Sequence, residues 1–331
     1  MKAIVYDQYG PPEVLHVEEV PKPVPKDNEV LVKVHATSVN FGDLFARDLK
    51  NKTLKDFYMP SLLFPIVKMT FGMGKPKVRI LGSEFSGVVE SVGKDVKKFK
   101  PGDEVVGYPG QAMGAYAEYL AISDKKMIGI KPENLTHEQA ACLPYGFIMA
   151  NDHLKKVNIK TGQKVLVNGA SGGIGSIGLQ LAKHMGAEVT GVCGTNSVEF
   201  VKSIGADHVI DYRKEDFTRN GEKYDIIYDI LGKRKFSEVK NSLTENGTYL
   251  CASFKGRKVL QSMLNNPFSK KKMICAFAGE NQEEMRTFRK LAEDGAIKTL
   301  IDRTFSLDDA SKAHRYSEEG KKKGHIVLSV D

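Results

Sequence analysis

The sequence predicts an α/β protein in two parts, a small antiparallel β-barrel and a doubly wound parallel sheet, and three observations carry that expectation. An apolar run, Val165 to Val167, enters a glycine-rich turn and leaves it with the helical period of Ile174, Ile177, Leu181 and Met185. Beyond it, strand-like and helix-like segments alternate, as they do in a parallel sheet covered on both faces. Before it, short β-branched runs are punctuated by Pro and Gly, as in a barrel.

Taken in order, the strands of the first part are Met1 to Tyr6, His16 to Val20, Glu29 to Ala36, Phe85 to Val92, Glu104 to Gly107 and Ala115 to Ile122. Pro11-Pro12, the series Pro21, Pro23 and Pro25, and Pro101-Gly102-Asp103 separate them. Residues 45–81 interrupt the pattern with Met, Phe, Leu and Pro in no strict period, which reads as a helix plus a long loop. From Leu135 the chain turns helical. Strands at Glu188 to Val192, His208 to Ile210, Asp225 to Asp229 and Thr248 to Cys251 then alternate with helices at Val198 to Ile204 and Phe236 to Leu243. Met273 to Phe277 is a further strand, followed by an amphipathic helix through Leu291.

A chain of 331 residues with 41% hydrophobic and 27% charged residues has an ordinary globular composition and is long enough for two cores. No apolar run approaches the ~20 residues that span a bilayer, and the N-terminus lacks a signal peptide's apolar core. A cytoplasmic protein without membrane contact is expected. The net charge of +8 raises nucleic acid as a partner. Yet the basic runs Lys270 to Lys272 and Lys321 to Lys323 are short and carry no interleaved aromatics, so they read as solvated faces. Cys142, Cys193, Cys251 and Cys275 form no Cys-x-x-Cys and read as small core residues in a reducing compartment.

The turn at Asn168 to Gly175 is the candidate for chemistry. Ala170, Ser171, Gly172, Gly173, Ile174 and Gly175 place glycines where strand becomes helix: Gly172 lets backbone approach a pyrophosphate, Gly175 lets the helix pack near the strand, and the helix N-terminus offers free N–H groups. Three rivals share these residues. The short-chain dehydrogenase spacing Gly169-x-x-x-Gly173-x-Gly175 needs a downstream Tyr-x-x-x-Lys, and none of the twelve tyrosines has it. Gly169-x-Ser171-x-Gly173 fits a hydrolase nucleophile elbow, but that reading gives no reason for Gly175. A glycine-rich turn that binds nothing is the third.

Further motifs identify a family. Leu81-Gly-Ser-Glu-Phe-Ser-Gly-Val-Val-Glu-Ser-Val-Gly93 and Phe99-x-x-Gly-Asp-x-Val-x-Gly107 resemble the hallmark of medium-chain dehydrogenases/reductases. Val39-Asn-Phe-Gly-Asp43, Ala140-Ala-Cys-Leu-Pro144, Ser203 to Tyr212, Ile301 to Phe305, Ala310-x-x-Ala-His314 and Lys323-Gly-His-Ile-Val327 resemble its zinc-independent quinone oxidoreductase branch. The matches follow one order along nearly the whole chain. The resemblance implies a GroES-like catalytic domain at residues 1–124, a Rossmann cofactor domain at 125–279 and a return to the catalytic domain at 280–331.

It also implies the site. Zinc relatives carry a Cys before the stretch matching Asn40 to Asp43 and a Gly-His-Glu where this chain has Gly82-Ser83-Glu84, so no metal is expected. Without a Lewis acid, conjugated acceptors such as quinones and enones are favoured, because charge arriving with the hydride is delocalised. After the second parallel strand, Cys193 stands where NAD enzymes place a carboxylate for the ribose hydroxyls. NADPH is the expected cofactor, with Gly194, Thr195, Asn196, Ser197 and Tyr212 about its 2′-phosphate, and Ser253, Phe277 and Ala278 along its length. Asn40, Asp43 and Tyr145 are the residues expected near the nicotinamide, with Asp43 equally a candidate to anchor its loop. The branch commonly pairs through the edge strand of its parallel sheet, here Lys272 to Phe277, so a homodimer is expected. A non-enzymatic nucleotide-binding relative, or a hydrolase using Ser171, are the alternative functions.

Overall fold

The computed structural model describes residues 1–331 except Tyr58, Glu280, Lys321 and Asp331, so the first residue of the basic run at Lys321 lies outside the described residues. The barrel part begins with β1 (Lys2–Val5), which pairs antiparallel with β2 (His16–Glu19). Next come β3 (Glu29–Ser38), helices α1 (Phe41–Arg47) and α2 (Leu63–Phe71), then β4 (Phe85–Val92), β5 (Glu104–Tyr108), β6 (Tyr119–Ser123) and β7 (Met127–Ile130). The interrupted stretch 45–81 therefore holds one full helix, α2, and β7 is a strand that sequence patterning did not single out. β3, ten residues long, pairs with both β4 and β6. Val30, Val32, Val34, Phe85 and Val105 fill the space between these strands and are fully buried.

The parallel part is introduced by the short α3 (His137–Ala140) and by α4 (Pro144–Lys155). Its elements are β8 (Lys164–Asn168), α5 (Gly173–His184), β9 (Glu188–Cys193), α6 (Val198–Ser203), β10 (His208–Asp211), β11 (Tyr224–Asp229), α7 (Phe236–Val239), β12 (Leu243–Cys251), α8 (Gly256–Asn265) and β13 (Lys272–Cys275). The sheet order is β10-β9-β8-β11-β12-β13, all parallel. The order reverses between β8 and β11, which opens a crevice at their C-terminal ends. Val165, Val167, Val189 and Ile226 are buried on one face of this sheet, and Leu166, Ile227 and Tyr249 on the other.

The chain then returns to the barrel through α9 (Glu284–Glu293), β14 (Ile301–Ser306), α10 (Ala310–Glu318) and β15 (His325–Ser329). β15 pairs antiparallel with β3, and β14 pairs parallel with β15. Arg47 on α1, almost fully buried, locks this return: its guanidinium meets His314 Nδ1 at 3.0 Å, donates to Gly10 O at 3.0 Å and pairs with Glu318. His314 Nε2 in turn lies 3.0 Å from the Tyr116 hydroxyl.

Candidate active site

A cleft of about 860 Å³ runs between the two parts. Its middle is the turn from β8 into α5. Gly172 is the N-cap of α5 with extended backbone, and no side chain caps the helix, so the amides of the first turn face the cleft. A Cβ at Gly173 would meet nothing within 4 Å, so the wall there is open to a ligand. At Gly175 a Cβ would stand 2.1 Å from Gly169 O, so only glycine lets the helix sit on the turn. Ser171, Gly172, Gly173 and Ile174 line the cleft, whereas Ala170 and Gly175 lie behind it, Ala170 fully buried in the core. A dinucleotide pyrophosphate fits this cradle, because anion affinity at a helix N-terminus needs open amides and no side chain in the way. The hydrolase reading loses its geometry here. Among the described residues, Ser171 is not one of the non-glycine residues at positive φ, which are Met113 and Asn158, and no histidine is hydrogen-bonded to it.

At the barrel end, Asn40 caps α1: its Oδ1 accepts from Gly42 N at 2.8 Å, while Asp43 Oδ2 accepts from Asn40 N at 3.0 Å. Its Nδ2 donates to Ser83 Oγ at 2.7 Å and to Glu84 Oε2 at 3.2 Å. Asn40 thus lines the cleft with both N–H donors already committed, so it braces the site rather than orienting a carboxamide with a free donor. Asp43 takes the anchoring role of its two readings. It does not line the cleft; fully buried, it accepts from Gly82 N at 3.1 Å and ties α1 to the strand entering β4. Burial chiefly, then the neighbouring Glu84, pushes its carboxyl up to about 7 against the pull of the backbone amides of Asn40 and Gly82.

Glu84 is the hub that the sequence left as a lone carboxylate. It is buried in the cleft wall, pairs with Ser38, and accepts from Tyr145 N at 2.8 Å, with burial raising its carboxyl above the usual range. Tyr145, at the start of α4, presents its ring against Tyr108, 5.6 Å between centroids. Burial, with Glu84 and Asp43 nearby, pushes its phenol up to about 12, so it keeps its proton at neutral pH. Among the described residues, the cleft holds no three His, Cys, Asp or Glu side chains grouped as metal ligands; the one such group, Asp7, His16 and Glu18, is on the outer surface, where Arg79 already holds both carboxylates.

The loop after β9 supplies the other end. Cys193, Gly194, Asn196, Ser197, Tyr212 and Arg213 line it, and the Tyr212 hydroxyl would lie 3.3 Å from a Cβ at Gly194. Burial lifts the Cys193 thiol to about 11, so it is neutral. Thr195 departs from expectation. It is outside the cleft lining and its hydroxyl donates to Asp211 Oδ2 at 2.7 Å. Asp211 is the register partner of Cys193 on β10, so a carboxylate stands one strand away from the position that lacks it. Its carboxyl is held below the usual range, first by that Thr195 bond.

Ser253 lines the cleft as expected, but Phe277 and Ala278 do not. β13 ends at Cys275; Ala276 N still donates to Cys251 O, and the chain then leaves the sheet, with Phe277 half exposed and edge-on to Phe254 at 4.7 Å. Several cleft residues carried no sequence signal. Ile230, Leu231, Lys233 and Arg234 come from the loop after β11, folded over buried Asp229, which accepts from Leu231 N, Gly232 N and Asn168 Nδ2. Lys322 and His325 come from the return segment: His325 belongs to the Lys323 to Val327 motif, and Lys322, read as part of a solvated basic run, is instead turned into the cleft. Among the described residues Lys322 has no ion-pair partner, and burial lowers its ammonium while Asp302 opposes; His325 is lowered to about 4 by burial and by Lys322.

Residues 26–132 match the family described as "Alcohol dehydrogenase GroES-like domain", and residues 204–328 the one described as "Zinc-binding dehydrogenase". A chloroplastic quinone-oxidoreductase of Triphysaria versicolor is 33% identical over 342 residues, covering 99% of this chain and 98% of that protein. The 2-methylene-furan-3-one reductase of Solanum lycopersicum is 32% identical over 341 residues, covering 99% of this chain and 79% of that protein. Among solved structures, a quinone oxidoreductase from Coxiella burnetii superposes with a TM-score of 0.84 at 30% identity, covering 100% of this chain and 99% of that one. With the cradle at the crevice of a 3-2-1-4-5-6 sheet and a barrel sheet to which the returning chain adds β15 and β14, the protein belongs to the quinone oxidoreductase branch of the medium-chain dehydrogenase/reductase superfamily.

Proposed function

We propose that this protein is an NADPH-dependent reductase that passes hydride to a quinone, or to the β-carbon of an α,β-unsaturated carbonyl, without a metal. The observation that carries this reading is a single cleft joining the α5 cradle to the Asn40–Glu84 bracing network. The quinone and enone chemistry named for the relatives supports it. Bound there, the dinucleotide supplies the hydride. The protein's part is to hold and orient. The first-turn amides of α5 take the pyrophosphate, and Asn196, Ser197, Tyr212 and Arg213 surround the adenosine end. The capping box at Asn40 and Asp43 fixes the barrel wall. The proton that completes reduction comes from water or from the Tyr145 hydroxyl, and Lys322 lends positive charge to the cleft where substrate oxygen becomes anionic. The test is NADPH oxidation by purified protein against a panel of quinones and enones, with metal analysis alongside. Turnover that survives chelation is expected; stoichiometric zinc, or no turnover across the panel with cofactor bound, overturns the reading.

We propose further that the parts divide as 1–130, 131–279 and 280–331, the first boundary moved from residue 124 because β7 pairs with β5. A homodimer through the open edge of β13 is supported by the place of that strand at the end of the sheet. A cytoplasmic location is supported by four free cysteines, three of them buried. No helix among the described residues is long and apolar enough to cross a membrane.

A further inference from the structure

The helix α2 is apolar on two sides. Phe64 and Phe71 face inward, with Val67 packed against the same core. Outward, Leu62 at the helix start, Ile66 and Met69 along it, and Met73 just past its end at Gly72 are 83%, 56%, 62% and 74% exposed. Leu54, 50% exposed, and Met59, 42% exposed, extend the apolar surface. A stripe of this kind on a folded protein marks a contact.

The charge about the stripe names the partner. Between Lys50 and Arg79 lie seven lysines and arginines against one acidic residue, Asp56, so most of the chain's net +8 sits here. Arg79 is taken by Asp7 and Glu18, and Lys52 by Asp48. Among the described residues, Lys50, Lys55, Lys68, Lys75 and Lys77 have no carboxylate partner; Lys68 lies over the Phe64 ring at 4.7 Å and Lys77 donates to Met69 O at 3.1 Å. Two copies apposed through this face would repel. An exposed aliphatic surface flanked by lysines that no carboxylate neutralises is the chemistry of a helix lying in the headgroup region of an anionic bilayer.

We propose that α2 and its flanks dock this protein peripherally on an anionic membrane surface. A ladder of rings joins that surface to the cleft: Phe64 to Phe57 at 5.0 Å, Phe57 to Phe45 at 6.1 Å, and Phe45 to Phe41 at 5.9 Å, with Phe41 in the cleft wall. Docking therefore sets the cleft beside the bilayer, and a lipophilic quinone held there becomes the substrate; this last clause rests on the proposed activity, whereas docking does not.

The test is sedimentation of the full chain with vesicles at 0.1 M salt, with no turnover in the readout. Vesicles of phosphatidylcholine with a third phosphatidylserine are expected to retain the protein at least tenfold better than phosphatidylcholine alone. Ile66→Asp with Met69→Asp is expected to weaken retention at least tenfold and to leave oxidation of NADPH by a water-soluble quinone unchanged. Lys75→Glu with Lys77→Glu should weaken retention too. Equal retention by both vesicle types overturns the proposal, as does retention that the Ile66 and Met69 changes leave intact, which would mark a polyanion or acidic-protein site. A fall in mass by light scattering in the Ile66 and Met69 variant would show that the stripe joins two chains instead.

Discussion

At the residue scale, the cleft sorts the polar residues that the sequence grouped together. Thr195 was legible as a phosphate ligand only because nothing in one dimension shows that β10 brings Asp211 to its hydroxyl. That carboxylate opposes a 2′-phosphate, while neutral Cys193 and the nearby Arg213 favour it. NADPH is accordingly expected to exceed NADH about tenfold in kcat/KM, or ~1.4 kcal/mol. Cys193→Asp should narrow or reverse the ratio, and Asp211→Asn should widen it about fivefold, the equivalent of about 1 kcal/mol; steady-state kinetics with both cofactors checks each. Lys322→Gln should lower kcat/KM about tenfold to a hundredfold with cofactor affinity unchanged by fluorescence titration. Asp43 makes a prediction about pH. Its carboxyl is raised to about 7 in the fold against about 3.9 unfolded, so the folded chain holds that proton longer. Its contribution is full below about pH 4 and is lost as pH climbs to about 7. Between pH 5 and pH 7 the urea unfolding free energy of the unmodified protein should fall by about 2 kcal/mol more than that of Asp43→Asn; parallel slopes would show that burial does not hold the proton there.

At the scale of elements, α5 separates two kinds of glycine that one motif had merged. Gly175→Ala drives a Cβ to 2.1 Å from Gly169 O, a backbone atom that cannot yield, and should cost about 3 kcal/mol of stability. Gly173→Ala meets nothing within 4 Å, so it should unfold at the same denaturant midpoint while weakening dinucleotide binding, because its methyl enters the cleft. Urea titration beside cofactor fluorescence distinguishes the pair, and equal destabilisation would count against the assignment. α8 was legible and went unread: Val259, Leu260, Met263 and Leu264 recur at helical spacing, although the helix buries no residue in the fold. Its exposed Leu260, Met263 and Leu264 instead lie beside β13, to which Asn266 binds through Met273 N at 2.9 Å.

At the scale of the molecule, that apolar face and the open edge of β13 together favour pairing of two chains, and light scattering at micromolar concentration should give twice the 36.6 kDa of one chain; a single-chain mass would leave the edge without a partner. The strand-and-helix alternation, the glycine turn and the Pro-punctuated barrel were determined by the sequence alone, since each depends on period and backbone freedom within a few residues of its neighbours. The family followed from motifs in fixed order. What tertiary structure decided is which groups share the cleft. Glu84 meets Tyr145 across 61 residues, Lys322 reaches the cleft from the return segment, and Asp43 turns from reactive candidate to brace because the 39 residues before Gly82 bring that amide to its carboxylate. A hydrogen bond is specified by distance in space, and distance between residues far apart along the chain is set only when the whole core closes.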